Sequence, residues 1–336
     1  MPVNQNLATL SDMAYRTAVL IYGLALALSL VYYLKQVGVV ELRRAVKGAK
    51  ALVGAGAPVD VDTTAASEQL PADAQERLRA KIASAEKFAG MTQTTIWLGI
   101  IVHAASVILR GLSASRFPWG NLYEYISLVM LVSMAVAAIA ISRRDLRTLW
   151  PWVLTPVICL MFYGGFKLYA ASAPVMPALK SFWFPIHVST VSLGAGVGLI
   201  SGVASLLYVI RMANPKGQEK DSFWGKVATP LPSAKLLDAV AYRTAILTLP
   251  IFGLGIVFGA IWAESAWTRF WNWDPKETVS FITWILYAAY LHARATSGWR
   301  DQKAAWINIA AFATMVFNLF FINLVVSGLH SYAGVN

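Results

Sequence analysis

A single cysteine, Cys159, serves a chain of 336 residues. With one thiol the chain can close no intrachain disulfide and run no dithiol–disulfide chemistry of its own. Any thiol reduction its pathway needs must come from another protein. Cys159 sits mid-span among Val157, Ile158 and Leu160, where a lone cysteine is expected to be buried and to behave as a small hydrophobe. Charge is scarce too. Asp, Glu, Lys and Arg make up 13% of the chain, against about 25% in a soluble domain, so a soluble fold is excluded. No phosphate loop, dinucleotide-binding fingerprint or long internal repeat is visible. No basic residue precedes the first apolar run until Arg16, whereas Lys35, Arg43, Arg44 and Lys47 follow it. That order argues against a cleavable signal peptide and for an anchor with its N-terminus outside.

What the chain has in abundance is apolar length. Hydrophobic residues make up 57% of it. Runs able to cross a hydrocarbon core of about 30 Å lie near 18–34, 92–109, 123–141, 149–169, 185–210, 245–262, 279–293 and 304–329. These runs are apolar all round rather than alternating, which predicts helices and not a barrel. The expected fold is an all-α, polytopic bundle of about eight transmembrane helices.

Assigning 35–90, 142–148, 211–243 and 294–303 to one side gathers 21 of the 28 lysines and arginines there. By the positive-inside rule that side is cytoplasmic, so both termini and the segment 262–278 face outward from the cell membrane. The net charge of +11 then reflects topology, and no nucleic-acid partner is needed to explain it. Three regions follow: an anchor at 1–34, a cytoplasmic insertion at 35–90, and a core at 91–336. The insertion reads as a linker, flexible through its Gly/Ala-rich stretch 48–67, with a short helix over 71–88.

Aromatic residues concentrate in one outward segment. Trp262, Trp267, Trp271 and Trp273 fall within 12 residues, and Asp274-Pro275 closes the run. An interfacial belt would spread its Trp and Tyr over many helix ends and both leaflets. A cluster in one loop instead suits a shelf for a planar apolar molecule. Asp274 reads either as a turn and helix cap, with Glu277 in the next turn, or as a group that orders the tryptophan loop. Arg269 and Lys276 are the nearby cations.

The chain has four histidines. His187 opens the fifth span and His330 closes the eighth, both at the level of the tryptophan segment. Two imidazoles converging on an aromatic shelf suit axial ligation of a heme iron; singly, each also reads as an interfacial hydrogen-bonding residue. His292 lies 14 residues beyond Thr278, roughly 21 Å below the outer surface, where an ionisable group is costly and needs a partner. His103, about mid-membrane, could bridge to a neighbouring helix or pair with His292. An offset of about 7 Å between the two makes that pairing awkward.

The run 262–294 (WAESAWTRFWNWDPKETVSFITWILYAAYLHAR) closely resembles the WWD domain of heme-handling proteins. More narrowly, the chain resembles the CcsA or ResC family, called CcsB in some lineages, the integral-membrane subunit of System II cytochrome c synthases. Further matches are Pro118-Trp-Gly-Asn-Leu-Tyr-Glu124, His-Val-Ser at 187–189, Tyr290-Leu-His-Ala-Arg294 and Gly-Leu-His-Ser-Tyr at 328–332. The chain departs from the family at Thr268-Arg269-Phe270, where a small residue and Tyr are common, and at Val279, where another Trp is common.

The resemblance implies c-type cytochrome biogenesis. Heme b is the substrate, ligated outside by His187 and His330 over Trp262, Trp267, Trp271, Trp273 and Asp274. Its vinyl groups become thioethers to the CxxCH cysteines of apocytochrome c, so this subunit would belong to a holocytochrome c synthase (heme lyase) complex. It further implies a ResB-type (CcsB-type) membrane partner supplying the second ligand opposite His292, and thiol-reducing proteins in the same pathway. A heme exporter or chaperone without ligation activity is the alternative. A solute transporter unrelated to heme would call for inverted repeats, which are not visible.

Overall fold

Helix is the only regular structure that satisfies every backbone N–H and C=O within a single apolar stretch, so runs this long fold as helices in lipid. The computed structural model describes residues 2–54, 64–141, 143–326 and 328–329, and among them there is no strand. The described residues form nine α-helices in order: α1 (Gln5–Gly54), α2 (Thr64–Ser113), α3 (Leu122–Ala140), α4 (Trp150–Lys167), α5 (Trp183–Ala213), α6 (Phe223–Ala228), α7 (Ala234–Trp267), α8 (Pro275–Ala295) and α9 (Gln302–Phe317). Among the described residues, seven helical stretches are long and apolar enough to cross a membrane: those of α1 to α5, α7 and α9. The 21 residues of α8 rise about 32 Å, enough for a crossing, but charged residues at both ends make it less apolar. The chain is a polytopic membrane protein built as a helical bundle.

The 35–90 insertion differs from the expected linker and short helix. Helix α1 continues through it to Gly54, and α2 begins at Thr64. Each of these helices has 50 residues, about 75 Å of rise, so both extend well past a bilayer. The physical reason is mutual packing. Tyr32 and Val39 of α1 bury against Ala85 and Ala89 of α2, with Leu78, Ile82 and Phe88 around them. Lys35 donates to the Ser84 hydroxyl at 3.0 Å while its ammonium lies over the Phe88 ring. Two helices that cover each other's apolar stripe need no membrane to remain helical. Of the stretch expected to be flexible, 55–63 lies outside the described residues. The expected anchor at 1–34 packs against α2 and α4 and shares one hydrophobic core with the rest of the bundle.

On the basic-rich side, ion pairs tie the loops to the bundle. Glu219 accepts from Arg44 at 2.8 Å and from the buried Arg211 at 2.9 Å, and Arg211 also donates to the carbonyls of Leu231 and Ala228. Arg147 pairs with Glu86 at 2.9 Å, and Arg294 with Asp238 at 2.6 Å. Helix α5 is the central element. It packs on α3, α7 and α9, and buries Gly194, Gly196, Gly198 and Gly202, small residues that let backbones approach closely within a membrane.

Cys159 is exposed on α4 rather than buried. Lipid is as apolar as a protein core, so an apolar neighbourhood in sequence does not reveal which side of a helix faces inward. The last span is not one regular helix: α9 ends at Phe317 and a π-helical turn, Asn318–Ile322, follows.

Candidate functional site

Two of the four clustered tryptophans belong to a helix. Helix α7 runs through Trp262 to Trp267, and only 268–274 form the loop. Non-glycine residues in the left-handed region mark the ends of that loop, Thr268 at φ 57° and Trp273 at φ 57°. Such conformations are sparsely populated and persist only where surrounding structure holds them. At Trp273 the holding groups are visible, since its carbonyl accepts from the Thr278 hydroxyl at 3.1 Å.

Asp274 is the N-cap of α8 and part of a complete capping box. Its Oδ1 accepts from Lys276 N at 3.0 Å, and Glu277 Oε2 accepts from the N–H groups of Asp274 (3.1 Å) and Asn272 (3.0 Å). The other carboxylate oxygen reaches across 55 positions of sequence, where Oδ2 accepts from Leu329 N at 2.9 Å. Glycine at 328 leaves room for this contact, because a Cβ there would lie 2.7 Å from Oδ2 and the carboxylate would have to shift. Both readings of Asp274 therefore meet in one residue, a cap and a strap. His330 itself lies outside the described residues, and Leu329 immediately precedes it.

His187 stands in the second turn of α5, half-buried against α7. Its Nδ1 lies 2.8 Å from the Gly255 carbonyl. A carbonyl can only accept, so Nδ1 carries the proton and Nε2 carries the lone pair that a metal ion requires. Gly259 makes room for the ring, since a Cβ there would fall 2.7 Å from Cε1. The imidazole lies nearly parallel to the Trp262 indole, with planes 15° apart and centroids 5.8 Å apart. Trp262, only 1% exposed, is backed by Trp267 edge-on at 4.9 Å and by Phe184 at 5.2 Å.

His187, Trp262, Trp271, Trp119, Tyr125 and Lys276 line one open cavity of about 1000 Å³. Trp267 stands behind Trp262, and Trp273 is 66% exposed, packed edge-on to Trp271 and Phe281. The four tryptophans thus divide into two that line the cavity and two that support it.

Sequence reasoning did not single out Trp119, Tyr125 or Asn323 for this cavity. Trp119 is placed by a buried network. Glu124 accepts from Arg110 (2.8 Å), Arg116 (2.7 Å) and Gly120 N (2.7 Å), and Asn121 caps α3 by accepting from Glu124 N at 2.9 Å. The motif 118–124 carries this signal, but its partner Arg110 belongs to another helix.

His103 and His292 stand on different helices. His103 is fully buried, with Nε2 3.0 Å from the Ser127 hydroxyl and Nδ1 3.5 Å from that of Tyr22. It sits on α2, which packs against α1 and α3. His292 is exposed on the last turn of α8, which packs against α7 and α9.

Helical bundle, tryptophan segment and oriented histidine together define a membrane protein with an aromatic cavity built around an imidazole. The family model "Cytochrome C assembly protein" matches residues 119–330, most of the chain, and the chain belongs to that family. Among relatives, it is 32% identical over 243 residues to the cytochrome c biogenesis protein CcsA of Guillardia theta, covering 68% of this chain and 80% of that one. It is 31% identical over 278 residues to CcsA of Gloeothece citriformis, covering 68% and 83%. The cytochrome c heme lyase CcmF shares the fold at a TM-score of 0.52 with 14% identity, over 90% of this chain and 46% of that one. The chain thus spans about half the length of that structure. The family match begins at 119, after α2, so the paired extension of α1 and α2 lies outside it.

Proposed function

We propose that the chain takes part in c-type cytochrome biogenesis, holding heme b as substrate at the outer face of the cell membrane during its attachment to apocytochrome c. The observation that carries this reading is the His187 imidazole, oriented by the Gly255 carbonyl and set against Trp262 on the wall of the outer cavity. His187 and His330 are its two iron ligands. Asp274, holding the residue before His330, supports that pairing, and Trp262, Trp267, Trp271 and Trp273 supply the shelf.

The attachment is an addition. The S–H of each CxxCH cysteine adds across one vinyl C=C, sulfur bonding to one carbon and hydrogen to the other, with no net oxidation. The iron is ferrous and the cysteines must arrive as thiols. Cys159 alone cannot reduce them, which assigns that work to thiol-reducing partners. No side chain need act as nucleophile; holding vinyls and thiols together supplies the rate by proximity and orientation. The histidine of CxxCH then displaces one of the two ligands and releases the product.

The purified protein should show a bis-histidine, b-type visible spectrum when heme is plentiful. A colourless protein under those conditions would overturn the reading. Bound heme without holocytochrome formation would leave a heme exporter instead.

His292 ligates a second, intramembrane heme with a ligand from a ResB-type partner subunit. Its exposure on α8 suits a ligand shared with another chain, and His103 has both ring nitrogens occupied by hydroxyls. Changing His103 to Ala should lower protein accumulation modestly, by about 1–3 kcal/mol of stability. Holocytochrome yield per molecule should stay near normal. A strong defect restored by imidazole would instead make His103 the ligand.

A further inference from the structure

Beneath the outer cavity lies a second one of about 1140 Å³, mostly apolar, reaching Cys159 on α4 and Val316 on α9. The two cavities share Tyr125, Val191, Phe252, Lys276, Ser280 and Asn323, so these residues form the neck between them. Three of the six are polar. Lys276 Nζ donates to the Asn323 side chain, and Asn318, at the start of the π-helical turn, donates to the Ser280 hydroxyl at 2.7 Å. π-Turns are frequent at functional sites. Here the turn lies between Asn318 and Asn323, both of which face the inner cavity.

A lysine in such a place calls for an anion. Among the described residues no carboxylate forms an ion pair with Lys276. Asp274 contributes a nearby negative charge, but its oxygens accept from the backbone N–H groups of Lys276 and Leu329. Glu277 also lines the outer cavity, with Oε2 accepting from two backbone N–H groups. Arg269, the other cation of the segment, lines neither cavity. Lys276 belongs to the first turn of α8, whose positive dipole end also favours an anion.

We infer that Lys276, with Asn323 and Ser280, binds a carboxylate of the ligand at the neck between the two cavities. The ligand class is a flat, largely apolar molecule with an acidic edge. One edge meets the lysine while the body lies against the aromatic wall beside His187. This inference rests on the heme reading above and names the part of heme, its propionate, that the site grips.

The test uses the purified full chain as wild type, Lys276→Gln and Lys276→Arg, each titrated with heme and with heme dimethyl ester, in which both propionates are capped. A charge-assisted hydrogen bond is worth about ten-fold or more in affinity. Wild type and Lys276→Arg should therefore prefer heme over its diester by about that factor. Lys276→Gln should lose the preference while binding the diester as wild type does. If wild type binds neither compound, the heme reading itself fails. If wild type binds heme and Lys276→Gln keeps the preference, the lysine assignment alone is overturned. Loss of both ligands by Lys276→Gln would also overturn it, since the lysine would then serve the fold rather than the carboxylate.

Discussion

Replacing His187 with glycine should remove most heme absorbance from the purified protein and reduce holocytochrome to background, and added imidazole should restore both. The geometry gives the reason for rescue. The new glycine would face Gly259 across a slot one ring thick, walled by Trp262 and still offered the Gly255 carbonyl. A soluble imidazole can enter that slot, donate one N–H to the carbonyl and present its other nitrogen to iron. The complementary change keeps the ligand and removes its space. In Gly259→Ala the new methyl would lie 2.7 Å from the ring, so His187 must leave its place. That variant should lose heme as well, without rescue, because the slot is filled. Normal heme spectra in both variants would remove His187 from the ligand set.

Trp262→Ala should be the most damaging of the tryptophan truncations. A packed aromatic of this size costs about 3–5 kcal/mol when truncated, and Trp262 is 1% exposed with three aromatic neighbours. The same change at Trp273, 66% exposed, should cost little stability. Its effect should come through the loop, where it packs on Trp271 and Phe281. Thermal denaturation in detergent separates the two, and holocytochrome yield per molecule of accumulated protein reports the shelf. Equal, wild-type behaviour of all four truncations would reduce the cluster to an interfacial belt.

The helical class was legible because hydrophobic excess and scarce charge leave few folds open, and most apolar runs mark real helices. What failed was local composition used to judge helix continuity. The stretch near 48–54 looks like linker, yet α1 persists through it to Gly54. The pairing of Tyr32 and Val39 with Ala85 and Ala89 lies far apart in sequence and leaves no local trace. The same limit applied to Cys159, whose neighbours are apolar whether it faces protein or lipid. In the site, His187 and the tryptophan segment stood out because their residue types are rare and clustered. Trp267 was misplaced into a loop because indole density masked the helical spacing of α7 beyond Trp262. Trp119 and Asn323 were missed because only the folded chain brings α3, α8 and the turn after α9 to one cavity.

The strap from Asp274 to Leu329 also orders events in time. A ribosome delivers α8 some fifty residues before it delivers the amide that this carboxylate will hold. Until then the loop has its cap but not its second anchor. The two partners of the strap lie 55 positions apart, so it forms only once both have been made.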